Sequence, residues 1–187
     1  MTYLAALCLS APLAAQDLSI RLDASKTKIG FVVGDVLHTV RGTFRLKEGH
    51  ILLDPSTGRV RGDITVDAAS GASGNSIRDK RMTRDILEAE RYPEVRFTPS
   101  AYKGSIAAAG SSAIEVTGSF LIHGQAHEVT IPMQIQMSGE DVTATGNFTV
   151  PYVQWGMKNP SNLLLKVSAK VEVTLSAVGH VNGLRAP

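Results

Sequence analysis

Residues 114–137 read IEVTGSFLIHGQAHEVTIPMQIQM, and this stretch decides the fold class. Ile114, Val116, Gly118, Phe120 and Ile122 alternate with Glu115, Thr117, Ser119 and Leu121. After the turn signal HGQ at 123–125 the alternation resumes, with Val129, Ile131, Met133, Ile135 and Met137 against Glu128, Thr130, Pro132, Gln134 and Gln136. A period of two over such lengths puts one set of side chains on a dry face and the other in water. It predicts two half-buried antiparallel strands joined by a tight turn.

The pattern extends in both directions. Downstream, Val142, Ala144, Gly146, Phe148 and Val150 share one face, and the longest run places Leu163, Leu165, Val167, Ala169, Val171, Val173, Leu175 and Ala177 together. Upstream come Ile20 and Leu22, then Ile29, Phe31 and Val33, then Val40, Gly42, Phe44 and Leu46, then Val60, Gly62, Ile64 and Val66. Turns are marked by EG at 48–49, DPSTG at 54–58 and SGED at 138–141. The result is about eight strands with mostly short connections, an antiparallel meander that closes into a barrel or folds into a sandwich. A barrel of that strand number is either filled by its own side chains or holds one ligand. The inward set includes Gly42, Gly62, Gly118, Ala144, Gly146, Ala169 and Ala177, and aromatics make up 5% of the chain, with one tryptophan. Such small residues leave a wide lumen unfilled, so the barrel is flattened or something apolar occupies it.

One segment breaks the strand pattern. SGNSIRDKRMTRDILEAERYPEVRF, residues 73–97, carries a capping-box-like Ser76 with Asp79, and Met82, Ile86 and Leu87 fall on one helical face. Pro93 ends the helix, and a strand resumes at VRF. A helical insert of about residues 76–90 has one useful place for its apolar side, over an open barrel end or along the lumen wall, and reads as a plug or lid. GASGN at 71–75, just before it, lacks the spacing of a nucleophile elbow and reads as a flexible loop.

At 187 residues the chain fits a single domain. Its first residues, MTYLAALCLSAPLAAQ, resemble a secretory signal cleaved after Ala15, the competing reading being a first strand or tail. We therefore expect a signal peptide at 1–15 and one barrel domain at 16–187, with a periplasmic or secreted location. The single cysteine, Cys8, lies in the leader, which leaves no disulfide framework. Beyond the leader no apolar run of 18 or more residues suggests a membrane span. The formal net charge of +2 gives no electrostatic reason to expect nucleic acid. The basic residues Arg78, Lys80, Arg81 and Arg84 are interleaved with Asp79, Asp85, Glu88 and Glu90, the pattern of a solvated helix face.

Four motifs in order, VVGDVLHTVRGTF, GDITVDAAS, SIRDKRM with YPEVRFTPS, and VTGSFLIHGQAHEVTIP, together resemble the YceI-like family. The match runs over about residues 18 to 178. The resemblance implies a periplasmic, up-and-down, lipocalin-like barrel that binds a polyisoprenoid lipid, and a homodimer, since members of the family are often dimeric. The family pattern continues R-D with x-H-L and then aromatic residues. Here Arg81 and Met82 stand at the His-Leu pair, and Ile86 and Leu87 stand where phenylalanines are common. The apolar turn is kept while a histidine and aromatic surface are lost.

No enzyme chemistry converges by pattern. Five histidines show neither H-x-H nor H-E-x-x-H spacing, and only His38 shares parity with an inward set, so His50, His123, His127 and His180 read as surface or turn residues. We expect no metal, no cofactor and no catalysis. The expected partner is an apolar lipid of polyisoprenoid, isoprenoid quinone or fatty acyl type. Its wall would be Phe31, Val33, Phe44, Ile64, Val66, Phe97, Phe120, Ile122, Ile131, Met133 and Phe148, with Met82, Ile86 and Leu87 on the insert. His38, Arg78 and Asp79 are candidates to orient a polar head, and Trp155, in the Pro- and Gly-punctuated VPYVQWGMKNPSN, either rims the barrel mouth or packs under a loop. The competing reading is a filled barrel that acts through its surface.

Overall fold

The computed structural model describes residues 17–34, 39–162 and 166–183. The alternating segments form nine antiparallel strands: β1 Leu18–Leu22, β2 Lys28–Gly34, β3 Thr39–Asp54, β4 Arg59–Ala72, β5 Glu94–Gly104, β6 Gly110–Ile122, β7 Gln125–Ser138, β8 Asp141–Val150 and β9 Val171–Asn182. Each pairs with its chain neighbour from β2 to β9, and β1 and β2 both pair with β3 and with β9, so the sheet closes on itself. Closure removes the two end strands an open sheet would present, although β7 and β8 pair only over Met133–Ser138 and Asp141–Gly146.

Nine strands occupy eight positions. β1 pairs with Ile51 and Leu52 of β3 and with Val181 of β9, whereas β2 pairs with Phe44 and Gly42 and with Leu175 and Val173, farther along the same two partners. They are one strand position interrupted at residues 23–27. The interruption is stitched to β9: the Asp23 N–H donates to the Val178 carbonyl at 2.8 Å, and the Val178 N–H donates to Thr27 Oγ1 at 3.2 Å. The barrel is thus an eight-position up-and-down meander.

Four sequence expectations are corrected here. EG at 48–49 is not a turn; β3 runs through it with a bulge between Leu46 and Glu48, which absorbs the irregularity by a register shift. The long run from residue 163 is not one strand either. β9 begins at Val171, and Ala169 is exposed rather than inward. Upstream the backbone is held by side chains together with isolated backbone contacts: the Val167 N–H donates to Ser161 Oγ at 2.8 Å, Tyr152 Oη donates to the Ser168 carbonyl at 2.8 Å, and the Ser168 N–H donates to the Gly34 carbonyl at 2.9 Å. Residues 163–165 lie outside the described residues. The insert's helix α1, Ser76–Arg81, is capped by Asn75 and not by Ser76: Asn75 Oδ1 accepts from the Ile77 and Arg78 N–H groups at 3.1 and 3.0 Å. Asp79 turns back instead, accepting from the Ser73 N–H and hydroxyl, so GASGN is an ordered lead-in rather than a flexible loop.

After α1 the helix widens into a π turn over Met82–Ile86, with the Leu87 N–H donating to the Met82 carbonyl at 2.9 Å. The segment then turns sharply at Glu88, whose φ is 46°. Tyr92 packs on the β6–β7 turn, its ring 4.8 Å from that of His123. His123 Nε2 approaches Glu88 Oε1 to 3.1 Å, but without the alignment of a hydrogen bond. The insert is fixed at both ends.

The core divides along the barrel axis. At the end marked by the β5–β6 and β7–β8 connections, Ile114, Ile135, Met137, Val142 and Val181 pack with Leu18, Ile20, Tyr102 and Ile106. At the end where β4 and β6 finish and the insert lies, Phe120, Ile122, Val150, Tyr152 and Met157 pack with Ile86, Leu87 and Trp155. Many inward small residues serve as seats. A β-carbon at Gly42 would lie 2.3 Å from Phe31 Cζ, one at Gly71 2.4 Å from Met82 Cε, and one at Gly146 2.3 Å from Met133 Sδ. Part of the space attributed to small residues is therefore filled by the large ones opposite them.

Candidate functional site

The insert end of the barrel holds an apolar cavity of about 510 Å³. Its base is Ile131, Phe97, Phe148 and Leu175, which also pack against the filled half. Ile29, Phe31, Val33, Val40, Phe44, Ile64, Val66, Phe120, Ile122, Val150, Val171 and Val173 form the wall. Met82, Ile86 and Leu87 of the insert, with Tyr152 and Met157 from the β8–β9 connection, complete it. Most of the strands that line it contribute alternate residues because the inward face recurs every second position. Phe31 is tilted against Phe44 at 5.4 Å, and Phe120 meets Phe148 edge to face at 5.5 Å, so much of the wall is rigid aromatic surface.

Among the described residues, the polar side chains on this cavity come from the insert and its lead-in and from the β8–β9 connection. Ser73, Asn75, Ile77, Arg78 and Arg81 line it from the insert side, and Pro160, Asn162 and Val167 from the β8–β9 connection. The Arg78 guanidinium is held in place by Ser73, with Nε donating to Ser73 Oγ at 2.7 Å and Nη2 to the Ser73 carbonyl at 2.9 Å. Ile77 also lines the mouth, yet it is 73% exposed, the one large apolar side chain so exposed among the described residues. Buried Tyr152 has its phenol pushed up by desolvation and donates to the Ser168 carbonyl, which pins the β8–β9 connection over the cavity.

Of the candidate residues, Phe31, Val33, Phe44, Ile64, Val66, Arg78, Met82, Ile86, Leu87, Phe97, Phe120, Ile122, Ile131 and Phe148 line this cavity. Three others stand elsewhere. Met133 is buried in the filled half against Gly146, because a period of two reports the face of a residue and not its height along the axis. Asp79 is spent on Ser73. Trp155 takes the packing alternative: it stacks on His127 at 4.0 Å with the rings 5° from parallel, and meets Phe120 at 6.0 Å. His127 is consequently half-buried, its Nε2 buried without a hydrogen-bond partner, and is not the surface residue its place beside a turn suggested. His38 lies outside the described residues. Tyr152, Met157, Arg81 and Ile77 were missed. The first two belong to an irregular segment with no period to read, Arg81 falls in the interleaved basic run that reads as a solvated face, and Ile77 stands apart from the face of Met82, Ile86 and Leu87.

Among the described residues, no group of three or more His, Cys, Asp or Glu is placed to hold a metal ion. Among those residues no helix is long and apolar enough to cross a membrane.

A family model for the YceI-like domain matches residues 21–179. A UPF0312 protein of Pseudomonas putida (strain W619) is 29% identical over 106 residues, covering 54% of this chain and 52% of that one; the chain spans about half the length of this curated relative. A UPF0312 protein of Vibrio parahaemolyticus is 26% identical over 141 residues, 73% of this chain and 72% of that one. Among solved structures, BcnA of Burkholderia cenocepacia superposes with a TM-score of 0.71 at 22% identity, over 84% of this chain and 98% of that one. A polyisoprenoid binding domain from Saccharophagus degradans does so with a TM-score of 0.66 at 15% identity, over 87% and 98%. At these identities the structural matches establish the fold.

Proposed function

Because the chain belongs to the YceI-like domain family, we propose that it is a lipid-binding barrel holding one long apolar chain, of polyisoprenoid, isoprenoid quinone or fatty acyl type, in the cavity beneath the insert. It would sequester or carry that lipid through the periplasm or another extracytoplasmic space, working as a monomer or homodimer and without catalysis. The observation that carries this reading is the apolar cavity of about 510 Å³, within the range of roughly 300–1,000 Å³ usual for ligand sites. The polyisoprenoid-binding neighbour from Saccharophagus degradans supports the ligand class.

The energetics suffice without a catalytic group. At about 30 Å³ for each methylene-sized unit, the cavity of about 510 Å³ has room for on the order of 17 of them. Burying ~17 methylenes contributes roughly 14 kcal/mol, and an association cost of about 5 kcal/mol leaves affinity in the micromolar range or tighter.

The test is native mass spectrometry with solvent extraction on protein purified from its own host. A discrete isoprenoid or acyl species at near-stoichiometric amount is the expected result. An empty mass, together with no binding when such lipids are added, would overturn the proposal and favour a barrel acting through its surface, a reading to which the packed half of the core lends support.

A further inference from the structure

Among the described residues the charged side chains lining the cavity are both arginines, Arg78 and Arg81, and both belong to the insert. We propose that the occupant is an amphiphile with an anionic head, a carboxylate or phosphate, whose tail fills the cavity and whose head is paired by Arg81 beside the fixed guanidinium of Arg78. The inference rests on the lipid-binding reading above and narrows it, since a quinone, an amide or an alcohol has no charge to present there.

The local chemistry keeps Arg81 available. The acid one helical turn on, Asp85, is engaged by Arg84 through both oxygens, Nε to Oδ1 at 2.6 Å and Nη2 to Oδ2 at 2.9 Å, and that hydrogen bonding holds its carboxyl below the usual range. The acid two residues before Arg81, Asp79, is turned onto the Ser73 backbone and hydroxyl. Arg81 makes no ion pair among the described residues and acts on Asp85 only as a secondary charge behind Arg84, and among the described residues no acid lines the cavity it borders. Arg78 already has Nε and one Nη nitrogen on Ser73, which fixes the plane of its guanidinium while leaving donors to spare. A single-signed mouth above an apolar cavity attracts an anionic head and disfavours a cationic one.

The experiment compares hexadecanoate, hexadecyl phosphate and hexadecanol, each displacing a neutral alkyl fluorophore at neutral pH from the wild-type protein and from Arg81→Gln, Arg81→Glu and Arg81→Lys. Charge-assisted pairing predicts that both anions bind about tenfold more tightly than the alcohol. The preference shrinks as salt rises, because Arg81 is exposed. Arg81→Gln removes most of it, Arg81→Glu reverses it and Arg81→Lys retains part, each read as the ratio of anion to hexadecanol affinity within one variant. Thermal melts of each variant establish that the fold is intact. Equal affinity for anion and alcohol in the wild type, or a preference unchanged in Arg81→Gln and Arg81→Glu, would overturn this inference and leave the lipid-binding reading standing. Binding of none of the three would overturn that reading too. Displacement by inorganic phosphate alone at comparable concentration would assign the arginines to a free anion and overturn the amphiphile.

Discussion

A β-carbon at position 42 would stand 2.3 Å from Phe31 Cζ and 2.6 Å from the Ala72 carbonyl oxygen, so the flat ring of Phe31 needs a glycine as its cross-strand partner. Gly42→Ala should destabilise the protein by about 1–3 kcal/mol, the usual cost of overpacking, because one neighbour is backbone and cannot swing aside. Chemical denaturation of the variant checks this, and an unchanged midpoint would mean that the Phe31 ring is not seated there. A second residue-scale consequence concerns acid. Asp54 accepts from the Ser56 N–H and hydroxyl at 2.9 and 2.6 Å and from the Thr57 hydroxyl at 2.5 Å, which lowers its pKa to about 2. Its folded pKa lies below the unfolded value of about 3.9, so its contribution is complete above that value and is lost as pH falls through the window toward 2. A carboxyl titration followed by NMR should give a midpoint near 2 for Asp54, and Asp54→Asn should flatten stability across that same interval.

The insert is held at its start by Asn75 and at its end by Tyr92 on His123 and Gly124. Asn75→Ala removes the acceptor for two N–H groups and should cost about 1 kcal/mol of helix stability. The loss is local, because α1 buries no residue fully. Hydrogen exchange should therefore speed up over residues 76–87 and remain unchanged in β6 and β7. Protection lost throughout the barrel would show that the insert is a structural keystone and not a cover. Much of this element could be read from sequence: Met82, Ile86 and Leu87 were expected on its apolar face and do line the cavity. Its cap was not, since Ser76 fits the motif equally well and only the backbone geometry selects Asn75.

Across the whole molecule, the two ends of the barrel answer differently to substitution. Met137→Ala, in the filled half, leaves a void and should cost about 2–5 kcal/mol while lipid affinity measured in the folded population stays the same. Val173→Trp, in the cavity wall, has open space to enter; it should preserve the melting temperature and reduce lipid binding at least tenfold. If Met137→Ala and Val173→Trp changed binding alike, the division between a packed half and a receptive half would be wrong. All five phenylalanines line the cavity, whereas aliphatic residues occur in both halves. Met133 and Ile131 are two positions apart on the same face of β7 and both belong to the packed cluster, yet only Ile131 also reaches the cavity.

Period-two alternation, turn residues and one amphipathic break were enough to set the strand number, the inward face of most strands and the place of the helical insert, because those features depend on local hydropathy and backbone preference. Closure, the merging of β1 and β2 into one position, and the start of β9 depended on which hydrogen-bonding groups meet across the sheet, a long-range property. The division of an apolar lumen into a packed half and a cavity of about 510 Å³ was likewise decided only in three dimensions. It follows from how far each large side chain reaches across the barrel and whether a glycine stands opposite to receive it, and no pattern along one strand records that.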